Sequence, residues 1–275
     1  MNSSELKKEA LSKFHGKFTK LVLIQLMYTL VTLAFSFVIE LLAGKTNSST
    51  ILSFLLSFVY LLVTLPFSFG VLSSIINISK GEEVSITDFI NIGLKKFGSY
   101  WKVTLGVALK LILPLLAFIV IIAIITGVIV AQSAPNVENL VANLMLMMLI
   151  VYILLVIFML ILLLPYVLTS FVLYDNPEKT SKEILQISSK LMKNNKLRYV
   201  GLMFSFFGWF LLAGIVTYIA TAFLPDFANV ILSYVPMLFL TPYITITQLS
   251  FYENLKAANF TEQVEEPIES DQENA

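Results

Sequence analysis

Uncharged, mostly apolar stretches recur along the chain at 21–43, 51–78, 111–131, 140–173, 199–224 and 230–252, broken only by Glu40 and a few uncharged polar side chains. Each reaches the about 20 residues that a helix needs to cross about 30 Å of hydrocarbon. The pattern predicts six transmembrane helices. The fourth stretch exceeds the bilayer core, so its helix is expected at about 142–168. The first is too long for a signal-peptide core and lacks a convincing cleavage site before Lys45, so it reads as a retained anchor.

Between the spans the period changes. Ile86, Phe89, Ile90, Leu94, Phe97 and Trp101 keep helical spacing, with Asp88, Asn91, Lys95 and Lys102 on the other face. Residues 182–196 repeat this amphipathic, base-ending pattern, and LSKFHGKF from Leu11 aligns with LKKFGSYW from Leu94. Interfacial helices are expected at about 4–18, 85–101 and 181–196. Thr180 with Glu183, and Ser85 with Asp88, have capping-box spacing. The even spans share a proline–aromatic step, Pro66-Phe67, Pro165-Tyr166 and Pro242-Tyr243, and a proline within a helix removes a hydrogen bond, so three kinked helices are expected. The fold class predicted is all-α, a polytopic membrane protein of six spans arranged as three repeats, each an interfacial helix followed by two spans.

Charge orients this arrangement. Of the 18 basic residues only Lys45 falls outside the N-terminus, the two long loops and the segment after the last span. Translocated loops avoid Lys and Arg, so both termini are expected in the cytoplasm of a multi-pass plasma (cell) membrane protein. The outer loops, near Gly44–Thr50, Gln132–Asn139 and Pro225–Asn229, are too short to hold a folded domain. Residues 1–252 form the expected membrane domain; 253–275, acidic and proline-interrupted, are expected to be disordered.

Composition narrows the chemistry. Hydrophobic residues make up 57% and charged residues 13%, about half the charge of a soluble domain. Zero net charge argues against a nucleic-acid binder. With no cysteine and one histidine, His15, thiolate chemistry and any two-histidine metal site are excluded within one subunit. No phosphate loop, metalloprotease signature or Ser/His/Asp set is present, so no enzyme, cofactor or metal is expected.

Polar side chains fall on single faces of three spans: Gln25, Thr29, Thr32, Ser36 and Glu40 on the first; Ser53, Ser57, Tyr60, Thr64 and Ser68 on the second; Thr241, Thr245, Gln248 and Tyr252 on the sixth. They read either as helix packing or as the lining of a polar path. Lys95, Lys96, Lys102, Lys193, Lys196 and Arg198 are candidate contacts to anionic lipid headgroups, or serve orientation alone. Trp101 and Trp209 fit interfacial anchoring.

The segment LMKNNKLRYVGLMFSFFGW, Leu191 to Trp209, with Pro242-Tyr243 and Phe251-Tyr252, resembles the bacterial integral-membrane family called domain of unknown function 975. The matching positions are Met192, Lys193, Asn195, Lys196, Ser205, Phe206, Gly208 and Trp209; SSELKKEALSKFHGKF is similar to the family's opening. Asn194 stands where that family usually has glycine, and 217–240 lacks its Gly-Ile-Gly step. The resemblance implies six spans and carries no activity with it. Three readings of function follow. The first is a non-enzymatic scaffold, assembly or regulatory factor contacting lipid or a membrane protein partner. The alternative is a transporter, channel or flippase using a polar path between kinked helices. A lipid-modifying enzyme is the weakest, for lack of acid, base and metal-ligand residues.

Overall fold

In hydrocarbon every backbone N–H and C=O must find its partner within the chain, and long apolar segments achieve this as helices. The computed structural model describes residues 2–45, 50–133, 137–221 and 223–269. Among them every regular element is helical, and five stretches (Phe18–Ala43, Ile51–Ser79, Phe97–Gln132, Asn143–Asp175 and Lys196–Thr221) are long and apolar enough to cross a membrane. The expected loops at 46–49 and 134–136, and tail residues 270–275, lie outside the described residues.

The chain divides into two compact units, Met1–Tyr100 with Leu197–Ala275, and Trp101–Lys196. The first begins with α1 (Ser3–Phe14), opened by a reciprocal cap: the Asn2 side chain accepts the Glu5 N–H at 2.9 Å, and the Asn2 N–H donates to Glu5 at 2.8 Å. Gly16, at φ +78°, turns the chain into α2 (Phe18–Lys45). Next come α3 (Thr50–Ser79), which keeps Pro66 within an unbroken helix, and α4 (Asp88–Lys95). Helix α5 (Phe97–Ser133) starts here and continues into the second unit.

Helix α4 lies hard against α3. Gly70 and Gly93 make this possible: a Cβ on Gly70 would overlap the Phe89 carbonyl, and one on Gly93 would come within 2.9 Å of the Pro66 carbonyl. The approach buries Phe89 completely, edge-on to Tyr28 and Phe67. The same core takes in Ala10 and Phe14 from α1, Leu21 and Ile24 from α2, and Val71 and Ile75 from α3.

In the second unit α5 is followed by α6 (Val137–Leu163), a 3₁₀ turn (Leu164–Tyr166), α7 (Thr169–Asp175) and α8 (Ser181–Met192). Thr180 and Glu183 cap α8 reciprocally, as their spacing predicts. Its apolar face, Ile184, Leu185, Leu191 and Met192, is buried against α7 and the 3₁₀ turn. Asn194, at φ +66°, then leads into α9 (Lys196–Phe204), which with α10 (Phe207–Thr221) and α11 (Asp226–Glu269) belongs to the first unit from Leu197 on. A left-handed backbone is open to glycine and strained for side chains with a Cβ, Asn least so. Asn194→Gly is therefore expected to stabilise by about 0.5 kcal/mol and Asn194→Ala to destabilise by about 1 kcal/mol, read as shifts in thermal unfolding.

Several boundaries differ from those the sequence predicts. The interfacial helix expected at 85–101 ends at Lys95, and Phe97 and Trp101 belong to α5, because the chain breaks direction at Lys96. Asp88 accepts the Ser85 N–H at 2.7 Å, but the Ser85 hydroxyl faces Thr87 and caps no backbone N–H, so only half of that box forms. The fourth span does not merely bend at Pro165: α6 ends at Leu163 and the proline sits in the 3₁₀ turn, where its missing N–H leaves no gap in an α-ladder. The fifth span is two helices, interrupted at Ser205-Phe206. The segment from 253, expected to be disordered, continues α11 to Glu269. Lys, Ala, Gln and Glu are good helix formers, and a helix growing from a packed one needs no new nucleus. The apolar part of α11, expected as a sixth span, is not among the five stretches above; it carries Pro236, Pro242, Gln248 and several hydroxyls.

Candidate functional site

The three helices predicted to carry polar faces do meet, since α2 touches α3 and α11 touches both. Gln25, Thr29 and Thr64 are buried, Thr32, Tyr60, Thr241, Thr245 and Gln248 half-buried, and Ser36 and Ser57 exposed. Four of the hydroxyls turn back onto their own helices. Thr29 donates to the Gln25 carbonyl at 2.9 Å, Thr32 to Tyr28 at 3.1 Å, Ser57 to Ser53 at 2.8 Å and Thr64 to Tyr60 at 2.8 Å. Such back-bonding satisfies the hydroxyl and lets neighbouring helices approach. The most deeply buried hydroxyls on α11, Thr247 and Ser250, lie off the predicted stripe, while Gln248 donates to the Tyr199 hydroxyl at 2.8 Å.

A different cluster, unmarked by the sequence reading, gathers on α1 and the turn that follows it. Lys7 donates to the Ser205 carbonyl at 2.7 Å, at the interruption of the fifth span, and its ammonium sits 4.1 Å from the Phe206 ring centroid. Lys17 donates to the Ser79 carbonyl at 3.0 Å, at the end of α3. Cations suit such C-terminal carbonyls, which carry the negative end of the helix dipole. Lys13 pairs with Glu9 at 2.7 Å and Glu253 at 2.8 Å. The i,i+4 spacing of Glu9 and Lys13 was the one available signal. Two of these lysines thus fasten helix ends and the third joins α1 to α11.

Burial alone would lower the Lys13 pKa, but the hydrogen bonds and charges of Glu253 and Glu9 outweigh it and hold it above the ordinary 10.5. A raised folded-state pKa contributes stability fully present below the unfolded value and lost as pH climbs through the folded one. The melting temperature of the wild type is thus expected to exceed that of Lys13→Met by a constant margin at about pH 7–9, and the margin to shrink once pH passes 10.5.

A recurring seat accompanies each interfacial helix. A residue of small volume, Ala10, Gly93 or Ser188, is buried where that helix meets a proline-bearing one. Gly93 lies on the Pro66 carbonyl. The Ser188 hydroxyl donates to the Pro165 carbonyl at 2.9 Å, and Ala10 shares a core with Ile246, one turn of α1 from Phe14, whose ring meets Tyr243 at 6.4 Å. A family model described as protein of unknown function (DUF975) matches residues 1–259. The chain belongs to the DUF975 family. No curated protein and no solved structure matches it.

In this DUF975 protein the candidate lipid-contacting bases divide by exposure. Lys95, Lys102, Lys193 and Arg198 are exposed, with Arg198 5.9 Å from the Phe251 ring centroid, and Lys96 and Lys196 are half-buried. The apolar faces beside them pack on protein, so Phe89 or Met192 is not available to lipid. Among the described residues no group of His, Asp and Glu could hold a metal ion. In the second unit, α5 and α6 flank an open cleft of about 360 Å³ lined by Ile122, Ile125, Ile129, Gln132, Asn143, Leu146, Met147, Ile150, Val151 and Leu154.

Proposed function

We propose that this is a six-span protein of the plasma membrane with both termini in the cytoplasm, acting without catalysis as a scaffold, assembly or regulatory factor for other membrane components. The observation that carries this reading is the exposure of the α5–α6 hairpin: none of the most apolar window of either span is buried. The two helices touch at Phe118 and Phe158, whose rings stack 4.9 Å apart, and at Thr126 and Met147. Lipid and aliphatic side chains are alike in polarity, so membrane helices associate by close packing and interhelical hydrogen bonds. Spans whose remaining faces are open have that packing still to gain from a protein partner. Helix α10, with no buried residue, offers a further such face.

The recurring seat supports three like units but redraws their register. Each element with a proline–aromatic step takes an interfacial helix: α3 takes α4, the 3₁₀ turn takes α8, and α11 takes α1 from the other end of the chain. Residues 101–196, which cluster as a unit of their own, are the middle repeat in this register. The exposed Lys95, Lys102 and Lys193 are left to anionic headgroups, by charge rather than by insertion. Back-bonded hydroxyls favour packing over a polar path.

The chain has no cysteine, so single-cysteine crosslinking tests the reading cleanly. Cysteines at the exposed Leu113, Ile124, Leu149 and Ile153 are expected to give one discrete, position-dependent protein adduct in native membranes, with Phe37 on α2 as a control. Lipid adducts alone at all four positions, or full function of the purified protein in liposomes, would contradict it.

A further inference from the structure

The interruption of the fifth span creates a cation acceptor. In a continuous helix the Ser205 carbonyl would take the N–H of Trp209, but that N–H turns to Phe206 at 2.9 Å. The Ser205 hydroxyl is itself engaged with the Leu202 carbonyl at 2.6 Å. Phe206 is 1% exposed and held edge-on by Tyr243 at 5.3 Å, so its ring stays fixed with one face toward Lys7. A free carbonyl beside a fixed aromatic face is what a primary ammonium group recognises: one N–H donates to oxygen while the charge rests on the π cloud.

We propose that the Ser205-Phe206 break is a binding site for a primary ammonium group, that Lys7 is its tethered resting occupant, and that a primary alkylamine takes the same place when the lysine is withdrawn. The carbonyl dipole and the ring quadrupole select for cations, the single carbonyl for a donor N–H, and the ring prefers a weakly hydrated alkylammonium to a metal ion. Burial holds the Lys7 pKa below its ordinary value, so the carbonyl and ring must offset a desolvation cost for any ammonium seated there. Lys7, Ser205, Phe206 and Tyr243 all belong to the first unit, whatever the number of spans or the partner proposed above.

Chemical rescue tests it. Lys7→Ala in detergent is expected to melt about 5 °C below the wild type. Ethylammonium chloride should restore most of that shift with a saturable dose response, while leaving the wild type unmoved. Tetramethylammonium, which has charge but no N–H, and sodium at equal ionic strength should restore little. Adding Phe206→Leu should weaken the rescue at least several-fold in ethylammonium concentration. If Lys7→Ala cannot be purified, Lys7→Met keeps the aliphatic stem and serves the same titration. Absence of rescue, an equal response to tetramethylammonium, or an equal rise in the wild type would overturn the proposal.

Discussion

Gly70→Ala is expected to cost about 3 kcal/mol or more and to lift α4 from α3. The added Cβ would overlap the Phe89 carbonyl, which belongs to the backbone of α4 and cannot rotate away. Overpacking a site with flexible walls costs about 1–3 kcal/mol, and rigid backbone on the far side places this substitution at or beyond the upper end. Gly93→Ala should behave alike, since its Cβ would meet the Pro66 carbonyl and the Phe67 ring. Gly127→Ala and Gly214→Ala, within α5 and α10 with nothing inside 4 Å, are the controls. They are expected to be neutral or to stabilise by up to about 1 kcal/mol through helix propensity. Thermal unfolding in one detergent separates the pairs, and a Gly70→Ala protein as stable as Gly127→Ala would show that α4 does not sit where described.

Ser188→Leu should be comparably severe, at about 3–5 kcal/mol. Ser188 is fully buried, and its hydroxyl is the donor for the Pro165 carbonyl in the 3₁₀ turn. Leucine would force three further carbons into a closed contact and strip a partner from a carbonyl, two costs of about 1–3 kcal/mol each. Ser188→Ala removes only the hydrogen bond and is expected to cost about 1–2 kcal/mol. A leucine variant no worse than the alanine one would mean that α8 does not seat on the turn, and the likeness to Gly93 and Ala10 would fall with it.

Helices were legible in the sequence because bilayer-length apolar runs admit no other backbone solution, and the Thr180–Glu183 cap because its spacing is local. Breaks were harder to see. Pro165 announces one, yet Pro66 and Pro242 lie in unbroken helices, and the same residue type gives both outcomes depending on what packs beside it. Nothing in FSFFGW, from Phe204 to Trp209, separates α9 from α10, and the Lys7 ammonium that meets the Ser205 carbonyl there comes from nearly two hundred residues away. The polar stripes were visible as faces, but whether a hydroxyl bonds its own helix or lines a path is a rotamer choice that spacing does not encode. Amphipathic helices were likewise visible, though the sequence could not say that their apolar faces meet protein and not lipid. The pairing of α1 with α11 joins the two ends of the chain, where no local pattern reaches.

The side of the membrane on which each end lies decides between six spans and five, because six return the chain to its starting side and five do not. With no natural cysteine, single cysteines at Ser3 and Ala275 can be labelled by a membrane-impermeant maleimide in intact cells and after lysis. Both are expected to be protected in intact cells and labelled together on lysis. Labelling of Ala275→Cys from outside, with Ser3→Cys protected, would contradict this, leaving α11 unspanning and the third unit incomplete.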